Sequence, residues 1–217
     1  MSNVLLRPDT EFKVGKIVCV GLNYAKHIGE MKAERTREPI LFLKPSTSLL
    51  KEGYAIILPS FSNQVHHEIE LALLVGKAAK GISKTDWRDY IIGAGIALDL
   101  TLRDIQDVAK SKGYPWSVCK GFDGACPISS FVPLNQISDI QNLHLELQVN
   151  NTIKQQGSTK NMIFPVDHLF SYISKIFTLE VGDILLTGTP AGVGQIKHGD
   201  HIKAKISEIG EIEFMVK

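Results

Sequence analysis

The run Ile69-Glu70-Leu71-Ala72-Leu73-Leu74-Val75 has the length and apolar character of a strand buried on both faces, yet Glu70 lies inside it. Glu68 stands two residues earlier. A strand sends residues i and i+2 to the same face, about 7 Å apart. Two carboxylates placed that way repel each other and lose hydration, so something positive must offset both costs. The run therefore calls for a β-rich core around it and for cations beside it, a divalent metal among the options.

The rest of the chain supplies such a core. Lys16–Gly21 reads as a short buried strand. Residues 40–43 and 56–58 are strand candidates, each followed by a nearby proline. Residues 91–100 are apolar and rich in Ile, Ala and Gly, which suits a central strand. Residues 143–150 alternate in polarity, and Asn150-Asn151 predicts a hairpin turn into 152–154. Residues 184–186 and a hairpin of 201–206 with 211–216, turning near Gly210, complete the strands. Helical signals are fewer. Thr101 reads as an N-cap with Asp104 at the third position, and Gly113 and Pro115 end that helix. Residues 167–177 have helical spacing, and 22–38 only weakly so. The expectation is a β-rich α+β fold, with 1–15 as an N-terminal extension and 16–217 as a single domain.

Charge and cysteine usage narrow the function. Lys plus Arg number 24 against 23 Asp plus Glu, and no basic block occurs, which argues against a nucleic-acid surface. Three cysteines without CxxC spacing suit free thiols better than a disulfide frame or a zinc site. The longest apolar stretches are too short to span a bilayer, and the start has no signal-peptide layout. The expectation is an intracellular protein with no membrane partner, cytoplasmic, or mitochondrial if imported.

A third carboxylate, Asp99, ends the run 91–98. Three carboxylates, with no cysteine and no histidine at matching spacing, suit a hard ion such as Mg²⁺ or Mn²⁺ with coordination sites left for substrate. The plainer alternative makes Glu68 and Glu70 edge charges and Asp99 a helix cap. His66 and His67 offer a zinc alternative with Glu68, but adjacent strand residues point to opposite faces. Arg103 and Gln106 share a helix face, where Arg suits a substrate carboxylate or simply a neighbouring acid. Lys120 sits among apolar residues, ready to stabilise an enolate oxygen or merely to snorkel. His27 and Glu30, at i and i+3 in a segment with few apolar anchors, form either a general-base pair on a lid over 23–32 or an incidental surface pair. The loop Thr187-Gly188-Thr189-Pro190-Ala191-Gly192-Val193-Gly194 lacks a P-loop ending, and could gather N–H groups and the Thr189 hydroxyl around an anion or simply be a tight turn.

Taken together, His27 and Glu30, Phe42-Leu43-Lys44-Pro45, His67-Glu68-Ile69-Glu70-Leu71, Asp99 to Gln106, Pro115-Trp116, Lys120-Gly121-Phe122-Asp123 and Thr187-Gly188-Thr189-Pro190 resemble the fumarylacetoacetate hydrolase family over roughly residues 16–216. The resemblance implies a mixed β-roll with few helices and a homodimer. It also implies Mg²⁺ or Mn²⁺ on Glu68, Glu70 and Asp99, catalysis by His27, Glu30 and Lys120, and substrate contacts from Arg103, Gln106, Thr189 and Lys44. The substrate is expected to be a small 2-oxo acid. The leading expectation is hydrolysis of the C–C bond of acylpyruvates to pyruvate and a carboxylic acid, with oxaloacetate decarboxylation beside it. Oxaloacetate tautomerisation, and isomerase, decarboxylase or hydratase reactions of aromatic-catabolism dioxo acids, are the alternatives. Fumarylacetoacetate hydrolysis itself is not expected, because that enzyme carries a further N-terminal domain and a further acidic ligand. A binding protein with a degraded site is disfavoured by the complete set of acids, Arg103, Gln106 and Lys120.

Overall fold

The computed structural model describes residues 2–31 and 34–217. Lys32, the last residue of the segment expected to form a lid, and Ala33 lie outside the described residues. In chain order the elements begin with β1 (Asn3–Leu6), β2 (Thr10–Lys13), β3 (Ile17–Gly21), α1 (Ala25–Glu30), β4 (Ile40–Lys44), β5 (Leu49–Lys51), β6 (Val65–His67) and β7 (Ile69–Val75). They continue with β8 (Ile91–Leu98), β9 (Thr101–Leu102), α2 (Arg103–Lys112), α3 (Ser117–Lys120), β10 (Cys126–Ile128) and β11 (Val132–Pro133). The last are β12 (His144–Val149), β13 (Thr152–Ser158), α4 (Val166–Ile176), β14 (Ile184–Leu186), β15 (Gly194–Gln195), β16 (His201–Ile206) and β17 (Gly210–Met215). The fold is the expected β-rich α+β type.

The main sheet runs β4-β3-β14-β7-β8-β10-β5, with β11 added on β8, so the carboxylate strand β7 is central. A second sheet has the order β13-β12-β16-β17. The larger core lies on one face of the main sheet. There Leu71, Leu73 and Ile96 meet Leu145, Leu147 and Ile202 of the second sheet and Phe170 of α4. The smaller core lies on the other face, where Cys19, Ala72, Leu74 and Ala97 meet Val4 and Phe131. The β1–β2 hairpin fills the expected N-terminal extension and docks there, through Arg7 N–H to Phe131 O at 2.9 Å and Phe131 N–H to Leu5 O at 2.7 Å.

Register explains where the acids emerge. β7 and β8 pair antiparallel with Ile69 opposite Leu98 and Glu70 opposite Ala97. Continued by one residue, the ladder sets Asp99 opposite Glu68, and Asp99 N–H donates to Glu68 O at 2.8 Å. Opposite residues share a face, as do residues two apart, so all three carboxylates leave the sheet on the same side.

Two local expectations fail for identifiable reasons. Thr101 is not a helix cap: it lies in β9, pairs with His66, and its hydroxyl donates to Asp99 O at 3.1 Å. The helix starts at Arg103 after Leu102, without a side-chain cap. Residues 56–58 do not form a strand of their own. Ile56 makes an isolated bridge to Val216, while Ile57 is 64% exposed and Pro59 ends the extended segment. The predicted end of α2 is found, with Gly113 left-handed at φ +69°. The Asn150-Asn151 turn has both φ values positive, 51° and 61°, as a two-residue hairpin of the type I′ kind requires.

Candidate active site

Glu68, Glu70 and Asp99 are 5%, 1% and 1% exposed, and each offers a carboxylate oxygen within 4.8 Å of the others. His66 and His67 are not in that cluster. The imidazole of His67 faces the other way and bonds Gln155 Oε1 through Nδ1 at 2.9 Å.

Three cations surround the acids. Lys120 Nζ, carried by the short helix α3, lies 2.9 Å from Glu68 Oε2 and also donates to Asp99 Oδ2. Arg103, at the first turn of α2, donates from NH2 to Glu68 Oε1 and from NH1 to Gln106 Oε1. Its neighbour Asp104 instead accepts from Ser62 Oγ at 2.7 Å and Asn63 N–H at 2.9 Å. Lys44, fully buried, lies 2.8 Å from Asp99 Oδ1 but aims its protons at the carbonyls of Leu100 and Lys120. Asp99 Oδ1 therefore accepts no well-formed hydrogen bond.

The charge balance is uneven. Burial alone would raise the Glu68 pKa, but Lys120 and Arg103 outweigh it and hold this carboxyl well below the usual range. Burial pushes Glu70 well up, and repulsion from Asp99 and Glu68 adds to it. Its recorded partner is Gly188 N–H at 2.6 Å, a dipole rather than a cation. Lys120 is raised, because Asp99 and Glu68 overcome the desolvation that would lower it, so its ammonium stays charged. Among the described residues Asp99 Oδ1 accepts no hydrogen bond and Glu70 enters no ion pair, and with an all-oxygen donor set these fit Mg²⁺ or Mn²⁺.

Of the remaining predicted residues, His27, Gln106 and Thr189 line the same cavity with the acids, beside Met31, Phe42 and Trp116, and Glu30 stands behind His27. Its free volume is about 30 Å³, room for one or two water molecules. His27 Nδ1 bonds Glu30 Oε2 at 3.0 Å, and Glu30 accepts from Gly192 N–H at 3.0 and 3.2 Å. The Thr189 hydroxyl donates to Ile69 O at 2.8 Å and accepts from Gln155 Nε2 at 2.8 Å. Helix α1 has six residues and no side-chain cap, too little to stand alone. Asn23 anchors its start: the buried amide donates to Thr187 O at 2.8 Å and Phe164 O at 3.1 Å, and accepts from Phe164 N–H at 2.8 Å.

Asn23 and Gln155 support this arrangement without having been singled out in the sequence, whereas the loop 187–194, expected either to gather N–H groups around an anion or to be a tight turn, turns its Gly188 and Gly192 N–H groups on the Glu70 and Glu30 carboxylates. A fully buried glutamine in an otherwise polar strand leaves no compositional trace. The GTPAG glycines carry a weak one, since Gly188 and Gly192 both have positive φ, +93° and +101°.

Residues 16–217 match the family described as fumarylacetoacetate (FAA) hydrolase C-terminal. Oxaloacetate tautomerase FAHD1, mitochondrial, from Bos taurus is 47% identical over 213 residues, covering 97% of this chain and 96% of the relative. Oxaloacetate decarboxylase, mitochondrial, from Dictyostelium discoideum is 49% identical over 193 residues, 88% of each chain. The solved fumarylpyruvate hydrolase from Pseudomonas aeruginosa, in complex with Mn²⁺ and pyruvate, superposes with a TM-score of 0.94 at 32% identity, covering 99% of this chain and 94% of that one.

Proposed function

Because this chain is an enzyme of the fumarylacetoacetate hydrolase family, we propose that it acts, with Mg²⁺ or Mn²⁺, on oxaloacetate and interconverts its enol and keto forms. The observation that carries the reading is the pairing of a buried three-carboxylate cluster with a separate His27–Glu30 pair on one cavity. The full-length likeness to oxaloacetate tautomerase FAHD1 favours this reaction over the others in the family. The Pseudomonas neighbour supports the choice of ion and of a pyruvate-like end in the substrate.

Tautomerisation moves one proton between C3 and the oxygen on C2. When bound, the dication would sit on Glu68, Glu70 and Asp99 and would neutralise charge on the substrate's carboxylate and 2-oxo oxygen. The chain's own groups do the rest. Lys120 keeps its ammonium and hydrogen-bonds the C2 oxygen, where charge develops, while the proton that oxygen gains or loses is exchanged with solvent, which also resets the proton on His27. Glu30, itself fixed by Gly192 N–H, holds His27 through Nδ1, so Nε2 is the nitrogen that exchanges a proton with C3. Arg103 orients Gln106, and that amide binds the substrate's carboxylate end. The cavity holds too little free volume for a four-carbon acid. With Asn23 as its fixed hinge, helix α1 therefore acts as a lid that lifts for entry and brings His27 down on the substrate.

Hydrolysis of acylpyruvates is the second reading, favoured by the fumarylpyruvate hydrolase neighbour. In it the same His27–Glu30 pair would take a proton from water, which attacks the distal carbonyl. A homodimer, implied by the family, completes the proposal, and light scattering tests it. The deciding experiment follows decay of enol-oxaloacetate by ultraviolet absorbance beside acetylpyruvate cleavage, with EDTA and with restored Mg²⁺. Oxaloacetate turnover that survives EDTA, or a rate no faster than buffer, would refute the primary reading.

A further inference from the structure

Helix α2 turns three residues towards the cavity, Arg103, Gln106 and Lys110, spaced i, i+3 and i+7 along one face. The mechanism above uses the first two and leaves Lys110 idle. The other cations of the site are committed: Arg103 to Glu68, Lys120 to Glu68 and Asp99, and Lys44 to Asp99 and two carbonyls. Lys110 enters no ion pair among the described residues. Its ammonium stands 5.7 Å from the centroid of Trp116, another wall of the cavity. It thus sits a full helical turn beyond Gln106 on the same face of α2.

The substrate chemistry asks for a group in that place. A 2-oxo acid that presents its C1 carboxylate and 2-oxo oxygen to the acid cluster must send its far end outward. If the far end is a second carboxylate, it loses hydration against the cavity wall and needs a cation that is not already paired. We propose that Lys110 is this cation, a specificity-determining residue that pairs with the distal carboxylate and selects 2-oxo dicarboxylates over neutral acylpyruvates. The inference rests on the oxaloacetate reading above. Desolvation, followed by the nearby Arg103 charge, lowers the Lys110 pKa, and an arriving carboxylate relieves that strain on the ammonium. The Trp116 ring against it limits the positions the long side chain can take.

The test uses two stable ligands with the Mn²⁺-loaded protein in calorimetry. Malate and lactate share the 2-hydroxy acid end, and only malate carries the second carboxylate. For wild type the expected order is malate tighter than lactate. For Lys110→Met, malate weakens by about tenfold, as removal of a charged hydrogen-bond partner at a partly exposed site implies, while lactate stays within about twofold. Lys110→Arg keeps the preference. The proposal is overturned if wild type shows no preference, if Lys110→Met leaves malate unchanged, or if both ligands weaken alike. Turnover of oxaloacetate by wild type is measured separately. Its absence would sink the functional reading without touching the ligand comparison, whereas turnover with an unchanged malate affinity in Lys110→Met would sink the role of Lys110 alone.

Discussion

Lys120→Met deletes one ammonium from among three buried carboxylates, and its consequence is a stability that depends on metal. Lys120 is 4% exposed in its side chain, and its partners Glu68 and Asp99 are 6% and 1%, so solvent does not screen the contacts. Removing one partner of a buried ion pair costs about 3–5 kcal/mol. Methionine fills much of the vacated volume, and the acids can take up a proton as Glu70 already tends to, so the lower end, about 3 kcal/mol, applies. For a chain of this size each kcal/mol shifts the melting temperature by about 2–4 °C, which predicts a fall of about 6–12 °C without metal. Metal restores positive charge to the same oxygens. Mass action at a hundredfold excess over Kd contributes about 2.7 kcal/mol, and without the competing ammonium the variant binds the ion more tightly than wild type does. Scanning calorimetry of both proteins, in EDTA and at one fixed Mg²⁺ concentration, should show a wide gap that narrows by more than half with metal. A depression equal in the two conditions, or smaller than about 2 °C in EDTA, would show that Lys120 is not the counter-charge described.

Three further outcomes follow from the geometry. His27→Ala should lower kcat for oxaloacetate by about a hundredfold or more with little change in malate binding, and an equal loss of both would count against its place as the proton-exchanging group. Gly188→Ala should destabilise the fold and weaken Mn²⁺ binding together, because the new Cβ would come within 2.7 Å of Asn23 Cβ at φ +93° while Gly188 N–H holds Glu70; calorimetric titration with Mn²⁺ reads the second effect. His168 is stacked between Phe164 and Tyr172, with centroids at 5.4 and 6.3 Å, and desolvation, then the charge of Lys84, lowers its pKa. The unfolded chain therefore takes up this proton first, and stability falls as pH drops below 6.5 towards the lowered value. His168→Phe keeps the stack and should flatten urea midpoints over that window; an unchanged slope would assign the pH effect elsewhere.

The legible parts of this chain were those where residue chemistry conflicts with surroundings. Acids inside apolar strands stand out in a sequence because few structures tolerate them, whereas the register of β7 with β8, both buried on two faces, is set by tertiary pairing. The hairpin at Asn150-Asn151 and the stop at Gly113 were legible because each needs positive φ. Thr101 misled because the same threonine that caps helices also pairs well in a strand, and tertiary pairing with His66 decided between them. Ile56-Ile57-Leu58 misled because apolar content does not reveal that a segment lies at a sheet margin. Gln155 and Asn23 were invisible for another reason: their amides join distant segments, His67 and Thr189 lying 88 and 34 residues from Gln155, and Phe164 and Thr187 lying 141 and 164 residues from Asn23. Nothing local announces such partners.

The loop after β14 touches the site at two points, Gly188 on Glu70 and Gly192 on Glu30. Both ends are wedged: a Cβ on Gly188 would strike Asn23, and one on Gly192 would come 2.0 Å from Lys154 O. The five residues from Gly188 to Gly192 thus act as a gauge block between the acid cluster and the histidine's orienting glutamate. Adding or deleting a single residue would pull one of the two N–H groups off its carboxylate. Loop length, more than loop composition, is what this enzyme has to keep fixed.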